Sequence, residues 1–510
     1  MTHFPLKLND ILSSISGVTV SGSADAEVRG LALDSRLVQP GWLYCALKGQ
    51  KADGSQFVDM AVEKGAVAVL SSEAPSDTSV AWVRAANPRR VMAEIADIFH
   101  GHPSGRLRVA GVTGTNGKTT TAFLLHHLIQ ASLRRAGLIG TVLYDDGVTR
   151  AKAPHTTPES IDLQAWLAQM AANQCAGVAM EVSSHALAQS RVHGIAFDAA
   201  IFTNLTQDHL DFHHTMDDYF EAKARLFDQV AAQAEKKPSA VINIDDPAGR
   251  RLVTRLGDRV KIVRYGLGAT ADFRASNIKF DANGTQYQLE VGERKLLVRL
   301  PLIGRFNVYN SLAALAGGVA CGLNLREAVA NLAHAPQVPG RLESVADKRA
   351  FKVFVDYAHT PDALDNALAT VRELNPRRVI AVFGCGGDRD PGKRPLMGAV
   401  AEKLADYSII TSDNPRTESP AAIVQDIKKG FRGRAFEIVE DRKRAIGRAI
   451  DLAQDGDIVL IAGKGHEDYQ IFADRTVDFD DRKIARRFVE MKQGPAPGGP
   501  GDQRERRRRP

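Results

Sequence analysis

A chain of 510 residues, 44% hydrophobic and 25% charged, has the composition of an ordinary globular protein, and at roughly 150 residues per domain it has room for about three domains. Disorder throughout, collagen and coiled coil are excluded by that composition. Half of the net charge of +6 sits from Gly494 onward, where five arginines, four of them in Arg506-Arg-Arg-Arg509, face Asp502 and Glu505, so the body is nearly balanced and no nucleic-acid partner is expected.

Cys45, Cys175, Cys321 and Cys385 are far apart and form no CxxC pair, which predicts reduced thiols rather than a disulfide framework or a zinc site. The longest weakly polar stretch, Ser311 to Leu323, is shorter than the roughly 20 apolar residues needed to span a membrane. Met1-Thr-His-Phe-Pro5 lacks a basic-then-apolar signal pattern. A cytoplasmic chain without membrane insertion, working as a monomer, is the expectation.

Residues 1–105 alternate short apolar runs, Trp42-Leu-Tyr-Cys-Ala-Leu47 and Ala66-Val-Ala-Val-Leu70, with turn-rich segments. Val91 to Phe99 has the spacing of an amphipathic helix, so this stretch reads as a small N-terminal α/β domain. Residues 106–340 open with the buried-strand pattern Leu107 to Val112, pass through a glycine-rich turn and continue as a helix from Thr119 to Ile129. Further strands at Gly177–Val182, Ala199–Thr203 and Ala240–Ile244 make a central parallel-sheet ATPase domain of P-loop type. In residues 341–493, Val353–Asp356, Val379–Phe383, Tyr407–Thr411 and Ile458–Ile461 alternate with helical patterns such as Ala421 to Ile427, the rhythm of a C-terminal Rossmann-like domain. The Pro/Gly-rich segment 494–510 reads as a disordered basic tail.

The sharpest local feature is Gly111-Val-Thr-Gly-Thr-Asn-Gly-Lys-Thr-Thr120. Glycines let backbone amides close on phosphate oxygens and the following helix adds its positive end, so Gly114, Thr115, Asn116, Gly117, Lys118, Thr119 and Thr120 are nucleotide-binding candidates. Lys118 would meet the outer phosphates and Thr119 would hold Mg²⁺. Because Val112 stands where a strict Walker A has glycine, the match is to a variant. Met180-Glu-Val-Ser-Ser-His185 and Thr203 to His213 lie at strand ends, where Glu181 and His209 offer metal ligands and Asp208 and Asp211 could orient the histidine. Taken alone, a histidine near acids also fits a loop or core residue. Gly384-Cys-Gly-Gly-Asp-Arg-Asp390 and Asp413-Asn-Pro-Arg416 look built for anions, with an interdomain salt bridge as the other reading.

Together these segments resemble the Mur ligases of bacterial peptidoglycan synthesis, most closely their diaminopimelate-adding members. The resemblance rests on eight ordered blocks: the loop 114–119, Glu181-Val-Ser-Ser-His185, Asp208-His-Leu-Asp211, Asn243-Ile-Asp-Asp-Pro247, Gly304-Arg-Phe-Asn-Val-Tyr-Asn310, Pro339-Gly-Arg-Leu-Glu343, Asp356-Tyr-Ala-His-Thr-Pro361 and Gly463-Lys-Gly-His-Glu467. It implies that Leu33-Asp-Ser35 and Gln50-Lys51-Ala52 contact a uridine nucleotide. Thr156, Thr157, Ser183, Gln189 and Arg191 would hold a muramoyl-dipeptide, and Asn307, Arg341, Asp356 and His359 would serve nucleotide contacts and closure. His155 and His214 stand where the family often has asparagine and usually has glycine. Sequence alone reads Lys223 as a helix-surface lysine; the resemblance makes it a carbamylated, metal-holding residue, so the implied catalytic set is Lys118, Lys223 and His209, and the implied metal set is Thr119, Glu181, His209 and Lys223.

In the family the loop Asp413, Asn414, Pro415, Arg416 accompanies meso-diaminopimelate, with Arg389, Gly463 and Glu467 completing the pocket and Glu467 suited to the distal ammonium. The implied reaction uses ATP and Mg²⁺ to convert the D-glutamyl carboxylate of UDP-MurNAc-dipeptide into an acyl phosphate, which the amine of meso-diaminopimelate attacks. A lysine-adding ligase or a folylpolyglutamate synthase would share the architecture without the Arg416 loop. A nucleic-acid-dependent ATPase or a UDP-sugar-binding module would share single features only.

Overall fold

The computed structural model describes residues 5–49, 52–73, 79–281, 284–345 and 350–492. The chain forms two compact units, one comprising Met1–Ile278, Tyr287–Arg299 and Val308–Ala335, the other Lys279–Gln286, Leu300–Asn307 and Pro336–Pro510.

The first unit begins with a five-stranded sheet of β1 (Val18–Ser21), β2 (Gly30–Ala32), β3 (Trp42–Cys45), β4 (Ala68–Ser71) and β5 (Ala81–Ala85), in the order β1-β5-β4-β3-β2. Helix α1 (Pro88–Phe99) follows. Its start is set by Asn87, whose side chain accepts from the Arg90 amide, and by proline in the first turn. Val91, Met92, Ile95, Ala96 and Phe99 recur at helical spacing and pack with Leu43, Leu70 and Val83 of the sheet.

Eight strands of an eleven-stranded sheet carry the rest of this unit's core: β6 (Arg108–Thr113), β7 (Ala136–Ile139), β8 (Leu143–Asp145), β9 (Arg150–Lys152), β10 (Gly177–Glu181), β11 (Ala199–Phe202), β12 (Ser239–Asn243) and β13 (Lys261–Gly266), in the order β9-β8-β7-β10-β6-β11-β12-β13. The six strands from β7 to β13 in that order are mutually parallel. Every residue of β7, β10, β11 and β12 is buried, as strands covered on both faces require. The register pairs Glu181 with Val112 and Phe202 with Thr113, so β10, β6 and β11 end side by side. Helix α2 (Lys118–Leu133) leaves the loop after β6; α3 (Ser160–Ala172), α4 (Ser184–Ala188), α5 (Leu210–His213) and α6 (Met216–Ala232) follow. The weakly polar stretch from Ser311 lies in α7 (Arg305–Ala320), and among the described residues no helix is long and apolar enough to cross a membrane.

The second unit holds a six-stranded sheet of β14 (Glu343–Ser344), β15 (Lys352–Asp356), β16 (Val379–Phe383), β17 (Tyr407–Ile410), β18 (Phe436–Ile438) and β19 (Ile458–Ala462), in the order β14-β15-β19-β16-β17-β18, with only the β14 edge antiparallel. Helices α8 (Pro361–Glu373), α9 (Lys393–Leu404), α10 (Pro420–Lys428), α11 (Arg442–Leu452) and α12 (Asp481–Lys492) accompany it, with a hairpin of β20 (Tyr469–Ile471) and β21 (Thr476–Asp478). Phe354, Phe383 and Leu460 pack with Leu368 of α8 and Met397 of α9 in one cluster, and Ile380 and Ile409 with Ile446 of α11 and Val489 of α12 in another, which makes this a doubly wound domain. The four cysteines are separate buried thiols.

Candidate active site

The loop after β6 is tied down by the segment after β11. The Thr115 amide donates to the Asn204 carbonyl at 2.9 Å and the Asn116 amide to Asn204 Oδ1 at 2.9 Å, while the Thr203 hydroxyl donates to the Asn116 carbonyl at 2.7 Å. Gly114 has φ +145°, and a Cβ there would fall 1.9 Å from Thr203 Oγ1, so no other residue fits. Gly117 caps α2 without a side-chain acceptor, leaving the helix N-terminus open toward an anion, with Thr119 and Thr120 buried in its first turn. Lys118 Nζ donates to the carbonyls of Gly114 at 3.0 Å and Thr115 at 2.8 Å.

Glu181, at the end of β10, is buried. One carboxylate oxygen accepts from the Thr141 amide at 2.7 Å; the other accepts from the hydroxyls of Thr119 at 3.0 Å and Thr141 at 3.1 Å. The 3.0 Å separation of Thr119 Oγ1 and Glu181 Oε2 is that of adjacent corners of a magnesium octahedron, about 3 Å for bonds near 2.1 Å. Among the described residues no group of three or more His, Cys, Asp or Glu converges on one point. The donor set, one carboxylate and one hydroxyl beside a phosphate loop, therefore fits Mg²⁺, which takes most of its shell from water and phosphate, and not a closed protein cage.

His209 begins α5 at φ +54° and accepts no help from Asp211; it is Asp208 that meets it, Oδ1 on the backbone amide at 2.9 Å and Oδ2 3.5 Å from the ring. Crowding by protein, then Lys118, His185 and Lys223, lower its pKa against the pull of Asp208, keeping a ring nitrogen unprotonated. The His213 ring meets Ser184 Oγ at 2.9 Å, and its burial with His185 nearby brings its pKa down to about 4.

The surface reading of Lys223 is wrong. Its side chain is buried, with Nζ donating to the Gly114 carbonyl at 2.8 Å and 4.3 Å from the Tyr219 ring centroid. On α6, Tyr219, Lys223, Phe227 and Val230 follow one another at helical spacing along the buried stripe. Burial, then the charge of Lys118, holds the Lys223 amine well below the ordinary lysine range.

Alongside, Thr157 Oγ1 donates to the Glu181 carbonyl at 2.8 Å and accepts the Ser183 amide at 3.1 Å, and Ser183 caps α4. Arg191 donates to the Thr157 carbonyl at 2.8 Å and to Gln189 Oε1 at 2.7 Å and pairs with Glu159 at 2.9 Å. Thr156 meets Thr141 hydroxyl to hydroxyl at 3.1 Å. Thus Thr156, Thr157, Ser183, Gln189 and Arg191 are one connected surface beside Glu181. In the N-terminal sheet, Leu33 and buried Ser35 follow β2, and the Ala52 carbonyl accepts the Gly49 amide at 2.9 Å. Gln50, Lys51 and the tail 494–510 lie outside the described residues.

In the second unit, Asp356 ends β15 and accepts the amides of Leu342 at 2.6 Å and Ala358 at 2.8 Å; burial pushes its carboxyl pKa up while Arg341 opposes. The Arg341 guanidinium sits 4.7 Å from the Tyr357 ring, and His359 Nδ1 meets the Tyr357 carbonyl at 2.9 Å. Asn307 Nδ2 donates to the Ile303 carbonyl at 2.8 Å. Arg416, at φ +51°, donates to the Gly387 carbonyl at 2.7 Å, and Arg389 to the Asp388 carbonyl at 3.1 Å. Among the described residues neither guanidinium has a carboxylate within ion-pair distance, although the Asp388 carboxylate, held by Thr417, feels the charge of both. Asp413 is buried with Oδ2 unpartnered, and a Cβ on Gly463, at φ +121°, would fall 2.6 Å from that oxygen. Asn414 Nδ2 donates to Glu467 Oε2 at 2.8 Å, an oxygen that Lys464 also occupies at 3.1 Å.

Three family domains match in order: the Mur ligase family, catalytic domain over residues 27–107, the Mur ligase middle domain over 112–318, and the Mur ligase, glutamate ligase domain over 340–465. The UDP-N-acetylmuramoyl-L-alanyl-D-glutamate–2,6-diaminopimelate ligase of Solibacter usitatus is 46% identical over 490 residues, 95% of this chain and 98% of the relative. The chain belongs to the Mur ligase family. The same-named ligase of Geobacillus kaustophilus is 46% identical over 489 residues, 95% of this chain and 99% of its own. A solved structure of a 2,6-diaminopimelate ligase of that name superposes with TM-score 0.71 at 34% identity, covering 96% of this chain and 99% of that one.

Within this Mur ligase fold, two contacts were not read from the sequence. Thr141, just past β7, holds Glu181 from 40 residues away, and nothing local announces it. Lys464 had a signal: it stands three residues before Glu467 in a motif of small and charged residues. His155 is exposed and offers its carbonyl to Tyr144.

Proposed function

We propose that this chain is an ATP-dependent ligase that joins meso-diaminopimelate to the D-glutamyl carboxylate of UDP-N-acetylmuramoyl-L-alanyl-D-glutamate in peptidoglycan precursor synthesis. It works as a cytoplasmic monomer with domain boundaries near residues 105 and 340, without nucleic acid or membrane insertion. The observation that carries the substrate assignment is the loop at Arg416. Two guanidiniums, Arg389 and Arg416, rest on main-chain carbonyls with no carboxylate within ion-pair distance among the described residues. A carboxylate at the far end of the incoming amino acid supplies what they lack, and a substrate without it leaves a fork of donors unpaired.

The chemistry begins with the poor leaving ability of a carboxylate oxygen. Transfer of the γ-phosphoryl group of ATP forms a carboxyl O–P bond and releases ADP; the amine then forms a C–N bond to the acyl carbon, losing a proton as phosphate leaves. The amides of residues 114–117 and the first turn of α2 hold the phosphates, and Lys118 lies against the developing negative charge. Thr119, Glu181 and His209 would hold Mg²⁺, which supplies charge neutralisation on the phosphoryl oxygens. Burial holds the Lys223 amine well below the ordinary lysine range, which favours the neutral form that reacts with CO₂, and its carbamate would add an anionic ligand. Thr156, Thr157, Ser183, Gln189 and Arg191 position the muramoyl-dipeptide, Leu33, Ser35 and Ala52 the uridine end, and Asn307, Arg341, Asp356 and His359 the nucleotide.

Phosphate release measured with the UDP-muramoyl-dipeptide and either meso-diaminopimelate or L-lysine tests this. Release is expected with diaminopimelate alone. Release with lysine alone would refute the amino-acid assignment, and release with neither would refute the reaction.

A further inference from the structure

Lys464 has no part in the reaction as described, yet its position is costly. Its side chain is 0% exposed, and a buried ammonium is retained only with strong partners. Nζ donates to Asn414 Oδ1 at 2.9 Å and Glu467 Oε2 at 3.1 Å, with the Tyr469 ring centroid 5.5 Å away. Asn414 closes the triangle, Nδ2 donating to the same Glu467 oxygen at 2.8 Å while Oδ1 also accepts the Ile471 amide at 3.0 Å. An asparagine amide is nearly symmetric in shape but not in hydrogen bonding. Two donors on Oδ1 therefore fix which way it faces.

Resting on the reading of residues 413–416, 463 and 467 as the amino-acid site, we infer that Lys464 is a positioning residue of that site: it orients the Asn414 amide and cancels the charge of Glu467. Without its ammonium, Glu467 would keep only the more distant Arg442 as a countercharge, and its carboxylate would repel the carboxylates that the site must admit. With it, Glu467 is a fixed acceptor, and Arg389 and Arg416 are the cations left to meet an incoming carboxylate. A buried lysine serving stability alone is replaceable by a packed apolar side chain, whereas a lysine that sets the charge of a binding site is not.

Steady-state kinetics on the full chain, varying each of the three substrates in turn, separate these roles for the wild type, Lys464→Met, Glu467→Gln and the double variant. Lys464→Met is expected to raise KM for meso-diaminopimelate on the order of tenfold or more and leave KM for ATP within about twofold. The double variant recovers part of the KM, since a neutral side-chain amide in place of the Glu467 carboxylate does not repel carboxylates. Lys464→Gln, which keeps an amide donor toward Asn414, makes the same comparison if the methionine variant does not fold. Equal losses for all three substrates, or an amino-acid KM like the wild type's, overturn the inference. A wild-type enzyme that releases no phosphate with meso-diaminopimelate instead overturns the underlying assignment.

Discussion

The phosphate loop and the amino-acid loop each hold a lysine among fixed partners, and they treat its charge in opposite ways. Around the phosphate loop, Lys118 donates to the carbonyls of Gly114 and Thr115, and Lys223 to that of Gly114. Carbonyl dipoles hold the Lys118 ammonium in place without cancelling its formal charge, while burial holds the Lys223 amine well below the ordinary lysine range. In the amino-acid loop Lys464 meets the carboxylate of Glu467, and the pair is neutral. On the proposed reading the first arrangement leaves a positive charge at the polyphosphate loop, and the second neutralises one beside Arg389 and Arg416, where a substrate carrying both signs would enter.

The comparison breaks most severely at Lys118. Lys118→Ala is expected to lower kcat by about 10³-fold, since it removes a charged donor from the loop that faces the transferred phosphoryl group in the proposed reaction. Single-turnover phosphate release checks it, and a loss below tenfold would mean that the carbonyl-held ammonium is not the group facing the phosphates. Lys223→Ala is expected to cost on the order of 10²-fold, with partial recovery on adding a short-chain carboxylic acid that replaces the carbamate. Its stability effect has the opposite sign. The folded-state pKa of Lys223 lies below the unfolded value of 10.5, so between the two the unfolded chain binds one more proton and stability rises with pH until 10.5 is passed. Lys223→Met removes that penalty, and in CO₂-depleted buffer at pH 7 its Tm is expected to rise by about 2 °C or more while activity falls.

At the amino-acid loop the expected effect is smaller and falls on selectivity. Arg416→Ala removes a charged donor whose side-chain hydrogen bonds among the described residues go to carbonyls, so kcat/KM for diaminopimelate relative to lysine is expected to drop about tenfold, the lower end of the about 1.5–3 kcal/mol that a hydrogen bond to a charged group is worth. Unchanged selectivity would move the distal carboxylate away from this arginine.

Much of both loops was legible in the sequence because their signals are local. The strand and helix expected at Leu107–Val112 and Thr119–Ile129 are found as Arg108–Thr113 and Lys118–Leu133, and the third domain's strands fall within a residue or so of their apolar runs. Strand order was not legible, since pairing β7 with β10 or β15 with β19 is decided by long-range packing. Nor was the depth of Lys223. Residue type suggested the surface, while the stripe Tyr219, Phe227 and Val230 around it pointed inward, and the stripe was the better guide. Thr141 shows the limit: a small polar residue past a strand gives no hint that a carboxylate 40 positions later will depend on it.

The smallest expected effect concerns how the phosphate loop and the turn ending α5 reach unusual backbone angles. Gly114 and Gly117 supply φ of +145° and +85° without a Cβ, whereas the turn ending α5 uses His214 at φ +63° and ψ −47°. Its amide still closes the turn on the Leu210 carbonyl at 3.0 Å, and its side chain is exposed, so the imidazole returns little packing for the strain. An L-residue on the left-handed side costs roughly 1–2 kcal/mol, and the extra freedom of glycine in the unfolded chain returns about 0.4–1 kcal/mol of that. His214→Gly is therefore expected to stabilise the protein by about 0.5 kcal/mol in urea unfolding, and His214→Ala, which keeps the Cβ, by nothing measurable. Equal gains from both would place the cost in the imidazole, and a loss from the glycine variant would mean that the backbone at this turn carries no strain.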